Sequence, residues 1–426
     1  VFGEANAAAF DRRGFAYFNR DVYDLFYPGY VDMWPMSHGA LGMTYEQASA
    51  RALVLRKSDG TVMTYGDGVT HHFTAAITTA ETAARNRDRI LRDYLAFRRE
   101  GVELGRSGPS EYVLHSAHDP GMAGRLARLL VRNGIEVHRA AGPVRVNGRT
   151  LPALGTYIVP MAQPAHRFAR DLLDAHVPMD EDFIQRQIER RANRERDEIY
   201  DLTAWSQPLL WDVELLVSEE ETGALGDAVT ADPGEDVGAP DAVLPPALVG
   251  YLIPWGTNAA SAVAEALREG IHVRSAGAEF TLGGRVFGVG TAIVRTAENP
   301  PDLPERLGAI TARHGAEVVP VQDSYVREGM SLGSGRVRSL REPRVLLVYD
   351  RPGSTYSVGW ARYVLEQRYG QRTTAVRASS LGGAVLSDYD VLVFPSGSYQ
   401  SAVGDGLLER IRGWIRDGGT LITMAE

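Results

Sequence analysis

The sequence predicts a multidomain α/β protein, and three observations carry that prediction. At 426 residues the chain is longer than one ordinary domain, so roughly two to four are expected. A segment in the middle occurs twice, and each copy reads strand, helix, strand, hairpin. Near the end an unbroken apolar run, Val345-Leu346-Leu347-Val348-Tyr349, has the pattern of a strand buried on both faces of a parallel sheet.

Composition narrows the class. A hydrophobic fraction of 44% and a charged fraction of 23% are those of a globular protein with full cores. The net charge of −9, with no basic block to offset it, argues against nucleic acid as a partner, because phosphate binding needs clustered cations. No apolar run approaches the length of a membrane span. Cysteine is absent, which excludes disulfides, thiolate metal sites and a cysteine nucleophile within these residues.

Residues 1–104 form the first segment. Val1 to Arg13 is predicted helical, since Phe2, Ala5, Ala9 and Phe10 share a face, and a strand is predicted at Phe15-Ala16-Tyr17-Phe18. The stretch 24–43 carries Pro28, Gly29, Pro35, Gly39 and Gly42, so it turns repeatedly. Arg51 to Leu55 reads as a strand. From His71 to Arg99 the pattern is helical, with Phe73, Ile77, Ala84, Leu91 and Tyr94 on one apolar face.

The two copies follow, at 108–217 and 246–335. Gly134-Ile135-Glu136-Val137 matches Gly270-Ile271-His272-Val273, and Asn147-Gly148-Arg149 matches Gly283-Gly284-Arg285. Gly155-Thr156-Tyr157-Ile158-Val159 matches Gly290-Thr291-Ala292-Ile293-Val294. The Asn-Gly and Gly-Gly pairs mark hairpin turns, because both tolerate positive φ. A charged helix is predicted from Phe183 to Glu198. Residues 218–245 are acidic and rich in Gly, Ala, Asp and Pro, which predicts a linker that cannot bury enough surface to order itself.

In the last segment, 341–426, strands are predicted at Val345–Tyr349, Tyr389–Pro395 and Thr420–Thr423, with helices at Val358–Tyr369 and Gly406–Asp417. Gly418-Gly419 reads as a helix C-cap, since it lacks the spacing and following Lys of a phosphate loop. The segment resembles the class I glutamine amidotransferase-like fold, a doubly wound sheet, cut short where that fold's nucleophile elbow is expected. An activity of that kind needs a cysteine, which would have to lie beyond Glu426; without one the segment reads as a binding or spacing module.

One ordered set of stretches points to chemistry. It comprises Gly3-Glu4-Ala5-Asn6, Phe26-Tyr27-Pro28-Gly29-Tyr30, Gly42-Met43-Thr44-Tyr45-Glu46-Gln47, His72-Phe73-Thr74-Ala75-Ala76 with His71 before it, and Tyr200-Asp201-Leu202-Thr203-Ala204-Trp205. Together they resemble the M14 (carboxypeptidase A-like) zinc carboxypeptidases in a bacterial multidomain form. The resemblance implies that residues 1–104 are the C-terminal part of a mixed-sheet catalytic domain. It implies Glu46 as general acid/base, moving a proton from a metal-activated water to the leaving amine. Tyr27 or Tyr30 would close on the substrate, and His38 and Trp34 would lie near it. The zinc ligands and the carboxylate-gripping arginines are expected upstream of Val1, so zinc belongs to a full-length parent and this chain is expected to be inactive alone.

His71 and His72 diverge on a helix, whereas His115, His118 and Asp119 follow a strand and have better spacing for a metal ion, although the second copy has no histidine there. The expected partner is a peptide or protein substrate, and the resemblance suggests secretion or a periplasmic location. The alternative expectation is a non-catalytic peptide- or glycan-binding protein with a decayed peptidase part.

Overall fold

The computed structural model describes residues 1–19, 26–47, 53–198, 202–231 and 243–424. It is a mixed α/β structure with several sheets, and the chain divides into two compact units, Val1–Ala231 and Asp232–Glu426.

The first unit begins with α1 (Phe2–Asp11) and the short α2 (Met33–Ser37). A ribbon of β1 (Val54–Arg56) and β2 (Val62–Thr64) leads into two long helices, α3 (Tyr65–Arg85) and α4 (Arg87–Ser107). Helix α3 starts at a reciprocal cap: Thr64 Oγ1 accepts from the Asp67 N–H, and the Asp67 carboxylate accepts from the Thr64 N–H at 2.8 Å.

Three expectations for this region are corrected. The helix predicted from His71 to Arg99 is two helices divided at Asn86, whose side-chain amide donates to the Thr82 carbonyl at 2.8 Å and so competes with the helical ladder. The apolar face also looks outward, with Phe73 66% and Leu91 60% exposed. Periodicity says which side chains share a face; what covers that face is a separate, non-local question. The strand predicted at residues 15–18 does not form, and Phe15 and Tyr17 instead meet the Phe10 ring edge-on. Residues 51–52 of the next predicted strand lie outside the described residues.

The first copy contributes β3 (Glu111–His115), α5 (Pro120–Arg132), β4 (His138–Ala140), β5 (Val144–Val146), β6 (Arg149–Leu151) and β7 (Thr156–Pro160). It continues through α6 (His166–Leu173), α7 (Glu181–Ala192), α8 (Gln207–Leu210), β8 (Glu214–Ser218) and β9 (Leu225–Ala228). The sheet runs β8-β3-β7-β4-β9 with every neighbouring pair antiparallel, so β7 is inserted between β3 and β4, a split β-α-β arrangement. Asp119 caps α5, accepting from the Met122 N–H at 3.3 Å, with Pro120 in its first turn. Leu126, Leu130, Ile135 and Phe168 fill the space between α5, α6 and the sheet. Each fully buried side chain of this size stabilises the fold by about 1.5–3 kcal/mol.

The predicted linker at 218–245 needs correction as well. Leu225–Ala228 is an edge strand of this sheet, because the ladder of β4 supplies the hydrogen bonds that the segment's own composition lacks. Residues 232–242 lie outside the described residues. Helix α4 comes close to the same copy: a Cβ on Gly105 would sit 1.9 Å from the Met161 carbonyl oxygen, so only glycine fits there.

The second unit repeats this design. It comprises β10 (Gly250–Ile253), α9 (Thr257–Arg268), β11 (Arg274–Ala276), β12 (Phe280–Leu282), β13 (Arg285–Phe287) and β14 (Ala292–Arg295). Then come α10 (Leu303–His314), β15 (Val319–Val321), β16 (Glu328–Gly329) and β17 (Val337–Ser339), in the order β15-β10-β14-β11-β17. Strand β17 lies beyond the boundary predicted at residue 335. The last sheet holds β18 (Val345–Tyr349), β19 (Thr373–Arg377), β20 (Val391–Phe394) and β21 (Thr420–Thr423), with α11 (Thr355–Arg362) and α12 (Asp405–Arg416) between strands. Its order is β19-β18-β20-β21, parallel throughout, with Leu346, Val348 and Leu392 buried. No described helix is long and apolar enough to cross a membrane.

Candidate active site

Glu46 lies on an exposed segment between α2 and β1 whose other residues are tied down. Thr44 Oγ1 donates to Asp32, Tyr45 Oη accepts from Asn6 Nδ2 at 2.8 Å and bonds Thr79 Oγ1 at 2.9 Å, and Gln47 Oε1 meets His71 Nδ1 at 2.9 Å. Glu46 itself is exposed and makes no hydrogen bond or ion pair among the described residues. Gly42 is required by a local contact: a Cβ there would sit 2.2 Å from the Asp32 carbonyl oxygen.

The aromatic loop is held against the first copy. Tyr27 and Tyr30 meet edge-on at 5.4 Å, and Phe26 and Tyr27 meet the Trp205 ring at 4.9 and 5.8 Å. Two stretches that carry the resemblance are therefore in contact, although Leu25, Tyr200 and Asp201 lie outside the described residues. Trp34 Nε1 donates to Asn133 Oδ1 at 2.8 Å. The His38 ring lies between Trp34 at 4.4 Å and Phe168 at 4.8 Å. Its Nε2 is buried without a partner among the described residues, and burial together with the nearby Arg98 pushes its pKa down.

Beside this loop stands a carboxylate that the sequence reading missed. Burial and the neighbouring Asp174 raise Asp171 to about 6, despite a hydrogen bond from Ser37. The Asp171 backbone carbonyl accepts from Trp205 Nε1 at 2.9 Å, and Asp174 accepts from Tyr112 Oη at 2.6 Å. The α6 pattern offers no signal for Asp171, since its burial comes from a loop more than a hundred residues earlier in the chain.

The structure thus places Tyr27 and Tyr30 by Trp205, and Trp34 and His38 by Phe168, and gives Glu46 no hydrogen bond to either group among the described residues. Zinc does not fit the described residues. Among them no three His, Asp or Glu side chains converge as a ligand set, and no thiolate exists. His115 Nδ1 bonds Thr156 Oγ1 at 2.8 Å, and Asp119 is occupied in capping α5. A His-x-x-Glu spacing, left out of the ligand set above, does occur at His314-Gly315-Ala316-Glu317. Its two side chains are committed elsewhere, His314 to Glu265 at 2.6 Å and Glu317 to Arg285.

No protein family, curated protein or solved structure matches this chain.

Proposed function

We propose that the protein is part of a zinc-dependent carboxypeptidase, cleaving the C-terminal residue from peptides or proteins, with its zinc ligands outside these 426 residues. One observation supports this reading: Glu46 stands exposed and without a partner among the described residues, while Thr44, Tyr45 and Gln47 on either side are fixed. A carboxylate whose neighbours are held in place is positioned to take up and deliver a proton. Tyr30 or Tyr27 would close on the substrate, with His38 and Trp34 contacting it as well. Residues 1–104 would be the closing part of the catalytic domain, the two copies accessory units, and 341–426 an amidotransferase-like binding or spacing module. A secreted or periplasmic setting follows from the same reading.

A second reading has its own support. Tyr27, Trp34 and His38 are already engaged by Trp205, Asn133 and Phe168, and the described residues hold no zinc ligand set. A non-catalytic peptide- or glycan-binding protein would need no more.

One experiment separates the two. In the complete gene product supplied with zinc, release of C-terminal amino acids from peptides should fall by about 10²–10⁴-fold in Glu46→Gln, with peptide affinity unchanged. Full activity in that variant would remove Glu46 from the mechanism. A zinc-free protein that binds peptide or glycan without cleaving it would establish the second reading.

A further inference from the structure

We propose that His138 is a pH-operated latch that holds the edge strand β9 on the first five-stranded sheet in its protonated form and releases it on deprotonation. The geometry requires the cation. His138 Nδ1 lies 2.9 Å from the Gly226 carbonyl oxygen, and Nε2 lies 2.9 Å from Glu136 Oε1. Both partners only accept, so both ring nitrogens must carry hydrogen for the two bonds to coexist. A neutral imidazole has one N–H and loses one of them.

The charges around the ring favour the same form. Glu136 is placed by an amide clamp: its N–H donates to Gln163 Oε1 at 2.7 Å, and its carbonyl accepts from Gln163 Nε2 at 3.1 Å. Glu111, 1% exposed on β3, takes the Thr222 N–H at 3.0 Å through one oxygen, while its other oxygen is buried without a partner. Arg139, the next residue along β4, lies over the Tyr157 ring. Burial lowers the His138 pKa, but the bonds to Glu136 and Gly226 and the charges of Glu136 and Glu111 outweigh it and the net shift is upward. A raised folded pKa gives stability that is complete below the unfolded value and lost as pH rises through the folded one.

Strand β9 depends on this bond more than a regular edge strand would. Its pairing with β4 shifts register between His138 and Ala140, so the ladder is interrupted where the imidazole reaches across. The second copy supplies a non-titrating control. Arg274, at the matching position of β11, makes a two-pronged ion pair at 2.8 Å on each arm with Glu298, just after β14, and reaches no side-chain partner on β17 among the described residues, while β11 pairs with β17 in unbroken register. Arginine stays charged throughout the accessible range.

Two matched amides provide the test within one molecule. The Val229 N–H donates to the Val137 carbonyl at 2.8 Å beside the latch, and the Leu340 N–H donates to the Val273 carbonyl at 2.9 Å in the second copy. Amide hydrogen exchange, corrected for intrinsic pH dependence, is measured on the full chain from acid to mildly alkaline pH. Exchange at Val229 should accelerate on the order of tenfold relative to Leu340, the change expected for losing one charge-assisted hydrogen bond. The step should vanish in His138→Gln. In Glu136→Gln the His138 titration, followed by NMR, should move to lower pH. A constant Val229-to-Leu340 ratio across the range, or a step that persists in His138→Gln, would overturn the latch. Should His138→Gln fail to fold, a wild-type His138 ring that stays neutral in acid overturns it equally.

Discussion

The two five-stranded sheets carry the same strand order on sequences that share only short matches, and the side chains that agree are more telling than the strands. Gln163 grips both backbone polar groups of Glu136, and Asn299 grips those of His272 at 2.8 and 3.2 Å. Arg149 pairs with Glu214 between hairpin and outer strand, and Arg285 pairs with Glu317 in the same place. What the copies share satisfies the backbone where a strand follows a helix and pins the hairpin. Where they differ is the edge: a histidine and an interrupted ladder in one, an arginine and a continuous ladder in the other. The aromatic loop from residues 26–39 sits on the first copy through Phe168, Asn133 and Trp205. The two sheets share one frame and differ in what is attached to it.

The comparison can be tested from the largest effect down. Phe168→Ala opens a cavity in the first core and strips the ring that His38 rests on, so chemical denaturation should show a loss of about 3–5 kcal/mol. Phe280→Ala, which removes a fully buried ring stacked on Phe287 in the second copy, should lose a similar amount but leave the fluorescence of Trp34 unchanged. Gln163→Leu, at a position 2% exposed, removes the partner of the Glu136 N–H and C=O and should cost about 1–3 kcal/mol. Asn299→Leu, at a half-buried position, should fall at the low end of that range, and equal costs would refute the difference in burial between the two clamps.

Smaller effects discriminate further. Asp171, with its pKa raised to about 6, loses stability in the ionised form, and that penalty disappears as pH falls below the unfolded value. Asp171→Asn should therefore stabilise the first unit by about 1 kcal/mol at mildly alkaline pH, after allowance for partial exposure, and by nothing in acid. Arg149→Ala and Arg285→Ala should each change stability by less than about 1 kcal/mol, because both ion pairs are partly exposed. A larger loss in either would mean that the pair holds the hairpin rather than decorates it.

Much of the frame was legible beforehand. The strands at Val345, Val391 and Thr420, the helix following the first strand of each copy, and the turns at Asn147-Gly148 and Gly283-Gly284 are local: apolar runs, apolar periodicity and positive φ announce them. The candidate site was legible only as residue types. Glu46 could be singled out, but that Tyr27 would rest on Trp205 and that Asp171 would lose its solvent depended on contacts distant in sequence. The predicted linker failed at Leu225 for the same reason, since an edge strand borrows its ladder from a neighbour. The His314–Glu317 spacing shows the converse, a motif whose side chains are drawn into separate ion pairs.

Local patterning in these 426 residues settled which segments coil or extend, and where a unit recurs, because turn chemistry and the period of apolar residues act within a few positions. Assembly alone settled which faces are covered, which strand completes an edge, and whether a histidine meets one acceptor or two. Those outcomes depend on burial and hydrogen-bond partners supplied across tens of residues, and no short window of sequence contains both sides of such a contact.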